Sequence, residues 1–305
     1  MSKIVVIGSM NMDLVINTPK VPAIGETILG SGFLTIPGGK GANQAVAISR
    51  LGGDVSMIGC VGNDTFGKTL IRSLCAAKVN IDGILCLDNI PTGIAMIIIN
   101  DGDNFIIVDP GANYKLSPEN LDSIETLIES CSLVVLQLEI PLETVERAVY
   151  IAKKHGIKLL LNPAPAVRIS DKLLSNIDIL TPNESECKII TGLPLDTVED
   201  AKNAALYLKS MGVPQVIITL GGNGVVYNED NIILHKTVPR VKVVDTTAAG
   251  DSFSGAIAFA LSQGKTIGQA VDFANIVGTL TVMKNGAQSS LPTITDVYNY
   301  IKDTK

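Results

Sequence analysis

The stretch LVVLQLEIPLETVERAVYIAKKHGIKLLL, residues Leu133 to Leu161, holds two short apolar runs on either side of a longer amphipathic segment. The runs Leu133–Leu138 and Lys158–Leu161 are typical of buried strands. Between them, Leu142–His155 has apolar residues at helical spacing. A strand, a helix and a second strand in this order predict a βαβ unit, whose two strands lie parallel in one sheet.

The same alternation continues along the chain and predicts an α/β fold: one Rossmann-like, mostly parallel sheet flanked by helices, in a single domain over residues 1–305. Further strand candidates are Ile4–Ile7, Val55–Cys60, Ile177–Leu180 and Gln215–Thr219. Further helix candidates are Ala42–Leu51, Thr69–Ala77, Ala201–Met211, Ser252–Gln263, Ile267–Met283 and Thr293–Ile301.

Two segments interrupt this alternation. Residues Leu14–Ile36 and Gly93–Val108 have the pattern of hairpin strands, the second with a turn at Ile99-Asn-Asp-Gly-Asp-Asn. We expect insertions at about 10–37 and 90–111 to form a small β-sheet lid over the carboxyl ends of the parallel strands, where ligands bind in such folds. The alternative is an antiparallel extension of the main sheet.

Composition narrows the class of partner. The net charge is −6, aromatic residues make up 4% and Trp is absent, so neither phosphate binding nor base stacking on a nucleic acid is expected. The five cysteines form no CxxC pair, which favours reduced thiols over a disulfide framework. The longest apolar run, Ile94–Ile99, is far too short for a membrane span. We expect a cytoplasmic protein without a nucleic-acid or membrane partner.

The most informative motif is Asp245-Thr-Thr-Ala-Ala-Gly-Asp251-Ser-Phe. A β-like stretch, Val241–Val244, runs into small residues, and an apolar helix begins near Gly250. Free amides at a helix N-terminus bind anions, and a carboxylate beside them can accept a proton from an alcohol during phosphoryl transfer. The alternative for Asp251 is an ordinary helix N-cap.

Two other glycine-rich segments suggest a sugar site. The run Ile36-Pro-Gly-Gly-Lys-Gly-Ala-Asn-Gln-Ala leads into a helix and includes a cation, Lys40, and an amide, Asn43. After the first strand, Asn11 and Asp13 lie on one face at a spacing of two residues, which suits adjacent hydroxyl groups. Each pattern is also common in simple turns.

Two motifs after later strands suggest a nucleotide site. Thr181-Pro-Asn183-Glu-Ser-Glu186 offers an amide and a carboxylate at helical spacing, which suits hydrated Mg²⁺. Thr219-Leu-Gly-Gly-Asn-Gly224 lets a nucleotide lie close to the backbone. The alternatives for these motifs are helix capping and turn formation.

The run Gly62-Asn-Asp-Thr-Phe-Gly-Lys-Thr69 matches the P-loop pattern of nucleotide-binding proteins. Asp64 would repel a phosphate and Phe66 would crowd the loop. We therefore expect a structural turn with Lys68 in solvent, with a P-loop NTPase as the alternative.

Taken together, these residues resemble the ribokinase-like (phosphofructokinase B) family of sugar kinases over essentially the whole chain. The resemblance rests on the run at 38–43, Asn183-x-x-Glu186, the Gly221–Gly224 turn and the Asp245–Asp251 loop, which occur in the family's order. It implies a ribokinase-like fold, ATP and Mg²⁺ as cofactors, and a homodimer in which the lids clasp each other.

The resemblance also implies a role for each matching residue. Asp251 corresponds to the catalytic base, and the amides of Ala248, Ala249 and Gly250 to its anion hole. Sugar contacts are implied at Asn11, Asp13, Gly38, Gly39, Lys40, Asn43, Glu139 and Asp251. ATP contacts are implied at Asn183, Thr219, Leu220, Gly221, Gly222, Asn223, Gly224, Gly250 and Asn275, with Glu186 supporting Mg²⁺ indirectly. A monovalent cation, K⁺, is implied at Asp245, Thr247, Thr281, Lys284, Gly286 and Ser290.

One position departs from the family, because Asn275 stands where a His often faces the adenine and offers less ring area. Among substrates, Asn11 beside Asp13 favours D-ribose, since an apolar residue at position 11 would favour deoxyribose. We therefore predict transfer from ATP to O5 of D-ribose, giving D-ribose 5-phosphate. The alternatives are a deoxyribokinase or another sugar kinase of the family, and a non-catalytic sugar- or nucleotide-sensing protein on this fold.

Overall fold

The computed structural model describes residues 3–100 and 103–304. The strands are β1 (Ile4–Ile7), β2 (Asn11–Asn17), β3 (Ser31–Gly38), β4 (Val55–Gly62), β5 (Asn80–Leu87), β6 (Gly93–Asn100), β7 (Asp103–Asp109), β8 (Leu133–Leu136), β9 (Lys158–Leu161), β10 (Ile179–Leu180), β11 (Gln215–Thr219), β12 (Val225–Glu229) and β13 (Ile232–Lys236). The helices are α1 (Lys40–Arg50), α2 (Thr65–Ala76), α3 (Pro118–Ser123), α4 (Glu125–Glu129), α5 (Leu142–Lys154), α6 (Asp171–Leu174), α7 (Glu184–Thr191), α8 (Val198–Ser210), α9 (Ala249–Ser262), α10 (Ile267–Val282) and α11 (Ile294–Asp303).

The main sheet has nine strands in the order β13-β12-β11-β10-β9-β8-β1-β4-β5. Within this sheet, the neighbouring strands β11-β10-β9-β8-β1-β4-β5 are parallel to one another, whereas β12 and β13 form an antiparallel edge. Because side chains alternate along a strand, β1 feeds two cores: Ile4 and Val6 pack on one face of the sheet, and Val5 and Ile7 on the other. The predicted α/β fold with a mostly parallel sheet is confirmed.

A second sheet of four strands, in the order β3-β2-β6-β7, is separate from the first. Strand β2 pairs antiparallel with β3 and parallel with β6, and β6 pairs antiparallel with β7. The two inserted segments thus meet in a sheet of their own, and the alternative of an extension of the main sheet is wrong. The predicted turn at Ile99-Asn-Asp-Gly-Asp-Asn includes Asp101 and Gly102, which lie outside the described residues.

Several predicted boundaries differ from the structure for local reasons. Helix α2 begins four residues before the expected Thr69, because Asp64 caps it by accepting a hydrogen bond from the Gly67 N–H. The β-like stretch Val241–Val244 is irregular, and its last N–H donates to the Val282 carbonyl at the end of α10. Strand β10 is shortened to Ile179–Leu180.

The P-loop-like turn at 62–69 is closed by its own carboxylate. Asp64 accepts hydrogen bonds from the Gly67 N–H at 2.8 Å, the Thr92 N–H at 2.8 Å and the Thr92 hydroxyl at 2.7 Å. Lys68 is exposed, as expected for a structural turn. Since the carboxylate already occupies the amide that a phosphate would need, this turn has no room for a nucleotide.

Within the residues described, no helix is both long enough and apolar enough to cross a membrane.

Candidate active site

Two adjoining cavities lie where the N-termini of α1, α7 and α9 meet at the carboxyl edge of the main sheet. The smaller cavity has a volume of about 190 Å³ and the larger of about 660 Å³. They share five lining residues, which are Asn183, Thr219, Thr246, Ala249 and Gly250. A ligand in one cavity is therefore in direct reach of a ligand in the other.

Asp251 lines the smaller cavity from the first turn of α9, and its side chain is buried. Each of its carboxylate oxygens accepts one hydrogen bond from a side-chain amide. Asn43 Nδ2 donates to Oδ2 at 2.9 Å, and Gln44 Nε2 donates to Oδ1 at 3.2 Å. Both donors come from the first turns of α1, so the run after Gly39 and the loop before α9 are joined at this carboxylate.

The start of α9 has the features of an anion site. Its N-cap residue, Ala248, is in the left-handed conformation with φ 59° and has no polar side chain to cap the helix. Ala249 N–H donates to the Thr246 carbonyl at 3.2 Å. Among the described residues, the N–H groups of Ala248, Gly250 and Asp251 have no hydrogen-bond acceptor. These free donors and the helix dipole favour an anion beside Asp251.

A cluster of charged groups lies on the side of Asp251 that faces the second sheet. Asp13 on β2 is buried, and burial together with the charges of Glu139 and Asp251 raises its pKa to about 7. Lys40 Nζ lies 4.0 Å from Glu139 Oε1. Burial lowers the pKa of Lys40, but the carboxylates around it, Asp251 foremost, outweigh that effect and raise it. The Lys40 ammonium is thus charged inside an acidic cleft.

The polar groups around this cluster are fixed by their neighbours. Asn11 Oδ1 accepts from Asn113 Nδ2 at 2.7 Å, which directs the amide nitrogen of Asn11 away from Asn113. Ser9 donates to Glu139 Oε2 at 2.5 Å. Asn43 Oδ1 is buried and has no partner in the part of the chain that the structure describes. An unpaired buried acceptor is costly, so a ligand hydroxyl there would be bound favourably.

The turn at Gly38–Gly39 brings β3 against the start of β2. Gly38 pairs with Asn11, and a Cβ atom on Gly39, whose φ is 89°, would lie 2.6 Å from the Asn11 nitrogen. Only glycine permits this approach.

Asn183 and Glu186 form a reciprocal capping box at the start of α7. Glu186 accepts from the Asn183 backbone N–H and from its side-chain amide, both at 2.9 Å. Burial raises the pKa of Glu186, against the effect of its hydrogen bond from Asn183 and of nearby Lys40. The expected capping role is therefore present, and Glu186 still lines the smaller cavity.

The larger cavity is lined by a glycine-rich turn and by apolar and amide side chains. Gly221–Gly224 form one wall, with Asn275, Phe253 and the segment Val238–Val241 around it. Asn275 is buried, and its side-chain amide makes no hydrogen bond within the described residues. The Leu220 side chain is buried in the core and does not line either cavity, so it could contact a nucleotide only through its backbone.

Asp245 bonds to two other residues of the predicted cation site, Thr247 and Gly286. Its carboxylate accepts from the Thr247 N–H at 2.9 Å and the Thr247 hydroxyl at 2.6 Å, and from the Gly286 N–H at 2.8 Å. These bonds outweigh partial burial and lower the pKa of Asp245. The Thr281 carbonyl accepts from the Lys284 N–H, and the Ser290 hydroxyl donates to the Ala287 carbonyl. Carboxylate, carbonyl and hydroxyl oxygens of this kind suit a hard cation.

Three groups around Asp251 were not predicted from the sequence. Gln44 contacts it directly, Asn162 lines the same cavity, and Thr246 borders both cavities. Gln44 follows Asn43 directly and lies on the buried face of α1. A polar residue at a buried helix position was the signal that could have identified it. Thr246 could have been inferred from its place in the Asp245–Asp251 loop, whereas Asn162 after β9 had no distinguishing pattern.

Comparisons with known proteins identify the family. Residues 1–294 match the model of the pfkB family carbohydrate kinases. A ribokinase from Schizosaccharomyces pombe is 42% identical, with 100% of each chain covered, and a deoxyribokinase from Salmonella typhimurium is 39% identical, with 98% of each chain covered. The structure of Arabidopsis thaliana ribokinase complexed with ribose and ATP superimposes with a TM-score of 0.93, at 34% identity and 99% coverage of both chains. The chain belongs to the pfkB family of carbohydrate kinases.

Proposed function

We propose that this carbohydrate kinase transfers the γ-phosphoryl group of ATP to O5 of D-ribose, giving D-ribose 5-phosphate and ADP. The observation that carries the proposal is Asp251. Its carboxylate is held by Asn43 and Gln44 beside the free amides of Gly250 and Ala248, at the junction of two cavities.

In the proposed reaction, Asp251 accepts the proton of the sugar hydroxyl. The oxygen forms a bond to the γ-phosphorus while the bond from that phosphorus to the bridging oxygen breaks, and ADP leaves with the electron pair. The free amides at the start of α9 donate hydrogen bonds to the transferring phosphoryl group. Lys40, which lines the smaller cavity, adds positive charge on the same path.

The sugar is held by the polar groups between the two sheets. Asp13, Asn11 and Glu139 accept from or donate to its hydroxyls, and the unpaired oxygen of Asn43 accepts one more. Gly38 and Gly39 bring the backbone close to the sugar, as the tight turn between β3 and α1 indicates.

ATP occupies the larger cavity in this proposal. The contacts are Asn183, Thr219, the Gly221–Gly224 turn, Gly250 and Asn275, all of which line that cavity. Leu220 contributes its backbone only.

Ribose is proposed over deoxyribose because Asn11 is a polar residue in a buried site. Its amide nitrogen is left for a ligand hydroxyl, and a substrate that lacks this hydroxyl would leave it unpaired. The deoxyribokinase relative at 39% identity makes deoxyribose the second candidate. A coupled ADP-release assay across ribose, deoxyribose, fructose and adenosine tests the choice. The highest kcat/KM is expected for ribose, and a preference for any of the others would refute it.

Two metal ions complete the proposal. Glu186 is placed to hold Mg²⁺ through water, because its carboxylate lines the smaller cavity while its oxygens accept from Asn183. Mg²⁺ supplies charge neutralisation on the ATP phosphates. K⁺ is proposed to bind to oxygens of Asp245, Thr247, Thr281, Lys284, Gly286 and Ser290. Replacing K⁺ by Na⁺ at constant ionic strength is expected to lower kcat, and an unchanged rate would argue against this site.

A homodimer through the second sheet is also proposed. Apolar side chains on this sheet are strongly exposed, among them Phe33 at 60%, Leu34 at 56% and Ile107 at 62%. Patches of this kind mark interfaces. Light scattering is expected to give the mass of two chains, and Ile107→Glu to give that of one; a wild-type monomer at micromolar concentration would contradict the proposal.

A cytoplasmic location is proposed because ATP is the donor and all five cysteines are free thiols.

A further inference from the structure

Three buried side-chain amides form a chain behind Asp251. Gln44 lies on α1, Gln137 follows β8 and Asn162 follows β9, and their exposed fractions are 0%, 0% and 5%. Gln137 touches neither cavity and Gln44 lines neither. Buried amides far from solvent are costly to retain unless their hydrogen bonds are used.

The orientation of each amide is set by the next. Asn162 Nδ2 donates to the Thr181 carbonyl at 3.0 Å, and because a carbonyl can only accept, the Asn162 oxygen must face Gln44. Gln44 Nε2 donates to that oxygen at 3.1 Å and to Asp251 Oδ1 at 3.2 Å. Gln137 Nε2 donates to Gln44 Oε1 at 2.6 Å. The Gln44 amide thus cannot turn its oxygen towards Asp251 without breaking all three of these bonds.

The row of hydrogen-bonded amides includes one buried oxygen that is unfavourable for stability. Gln137 Oε1 is buried without a hydrogen-bond partner among the described residues. It also lies so close to Gly8 that a Cβ atom there would be 1.9 Å away. An unpaired buried oxygen is unfavourable by roughly 1–3 kcal/mol. Since a methionine would fill the same space without this cost, stability alone does not explain Gln137.

We propose that Gln44 is a positioning residue for the base Asp251, and that Gln137 acts through Gln44. The inference rests on the proposed function, in which Asp251 accepts the sugar proton. Asn43 takes one oxygen of the carboxylate and Gln44 the other, so the carboxylate is fixed on both sides by neutral donors. Neutral amides orient the base without adding a positive charge, which would weaken the carboxylate as a proton acceptor.

The row of hydrogen-bonded amides that ends at Thr181 is also linked to α9, the helix that carries Asp251. The Thr181 hydroxyl lies 3.0 Å from the Ser254 hydroxyl, and Ser254 is three residues after Asp251 on α9. The backbone that holds Asn162 is therefore tied to the helix that presents the base. A shift of α1 relative to α9 would change the hydrogen bond between Gln44 and Asp251.

A double-mutant cycle tests the proposal. Gln44→Met is expected to lower kcat by about 10–100-fold while the KM values for ribose and ATP change less than about threefold, since the lost bond acts in the transition state. Gln137→Met is expected to lower kcat by about three- to tenfold in the parent and to have no further effect in the Gln44→Met background. Additive effects would show that Gln137 does not act through Gln44.

Asn228→Leu serves as the matched control. Asn228 is a buried amide that bonds to the Val216 N–H and the Pro214 carbonyl, at the opposite end of β11 from the site. It is expected to lower the melting temperature but leave kcat within twofold. If Gln44→Met also keeps kcat within twofold, the positioning role is refuted. If the parent phosphorylates no sugar, or if Asp251→Asn retains activity, the proposed function itself fails and this inference with it.

Discussion

Two turns of this chain lead into a helix through small residues, and only one of them is free to bind an anion. In the closed turn, residues 62–69, the N-cap Asp64 bonds to the Gly67 N–H and to Thr92. In the open turn, residues 245–251, the N-cap is Ala248, and the N–H groups of Gly250 and Asp251 are unbonded in the described chain. The side chain at the N-cap therefore decides whether such a turn is structural or can serve a phosphate.

The closed turn and the cleft beside Asp251 also differ in how they hold a carboxylate. Hydrogen bonds from Gly67 and Thr92 outweigh the burial of Asp64 and lower its pKa. Near the open turn, burial and the charges of Glu139 and Asp251 raise the pKa of Asp13 to about 7. The fold thus stabilises the ionised form of the structural carboxylate Asp64. It disfavours the ionised form of Asp13 in the cleft, which can bind a ligand instead.

The largest expected effect comes from closing the open turn. Ala248→Asp places a carboxylate at the N-cap, where it can bond to the Asp251 N–H as Asp64 bonds to Gly67. We expect kcat/KM for ATP to fall by about 100-fold or more, because the anion site is filled and negatively charged.

Ala248→Asn is the neutral control, and it also tolerates the left-handed backbone. It is expected to cost about tenfold less than Ala248→Asp. Equal losses in the two variants would show that size, and not charge, blocks the turn.

The next effect concerns Asp13. Asp13→Asn removes a charged acceptor, so KM for ribose is expected to rise by about 10–100-fold, from the loss of roughly 1.5–3 kcal/mol. The unliganded variant is nevertheless expected to be more stable than the parent at pH 8. Because folding raises the pKa of Asp13 from its ordinary value of 3.8 to about 7, the parent loses stability as the pH rises between these two values.

Thermal unfolding of the ligand-free proteins between pH 4 and pH 8 measures this difference. The gain of the variant is expected to be of the order of 2–4 kcal/mol at pH 8 and to vanish near pH 4. A gain that is independent of pH would contradict the ionisation of a buried Asp13.

The smallest effects are expected in the closed turn. Asp64→Ala removes the cap of α2 and is expected to cost about 1–2 kcal/mol in the free energy of unfolding. Lys68→Ala, in the same turn but exposed, is expected to change it by less than about 0.5 kcal/mol. Both variants are expected to keep kcat within twofold. A large loss of activity in Lys68→Ala would instead support a P-loop at this position.

The sequence predicted those parts of the fold that depend on local pattern. Apolar runs such as Ile4–Ile7 and the amphipathic Leu142–His155 located strands and helices within a few residues. The edge strand β5 was missed, since Asp82 and Gly83 interrupt its apolar pattern and it is only partly buried. Val241–Val244 was wrong as a strand, because the Val244 N–H bonds to the Val282 carbonyl at the end of α10, which no local pattern reveals.

The site was predictable where residues of special chemistry stood in motifs. Asp251, Asn43 and Lys40 were identified in this way, and the structure brings them together. Gln44 and Gln137 were not, because a buried amide shows its role only when its partners are known. Of the amides predicted for the anion hole, that of Ala249 bonds back to Thr246, and the Asp251 N–H at the end of the same run is free in the described chain.

The central claim is that Asp251 is the base at the open turn, and Asp251→Asn tests it most directly. The variant keeps the size of the side chain and removes its ability to accept the sugar proton. The account predicts that kcat falls by about 10³-fold or more, while calorimetry shows ribose binding within about threefold of the parent. A kcat within tenfold of the parent would contradict it.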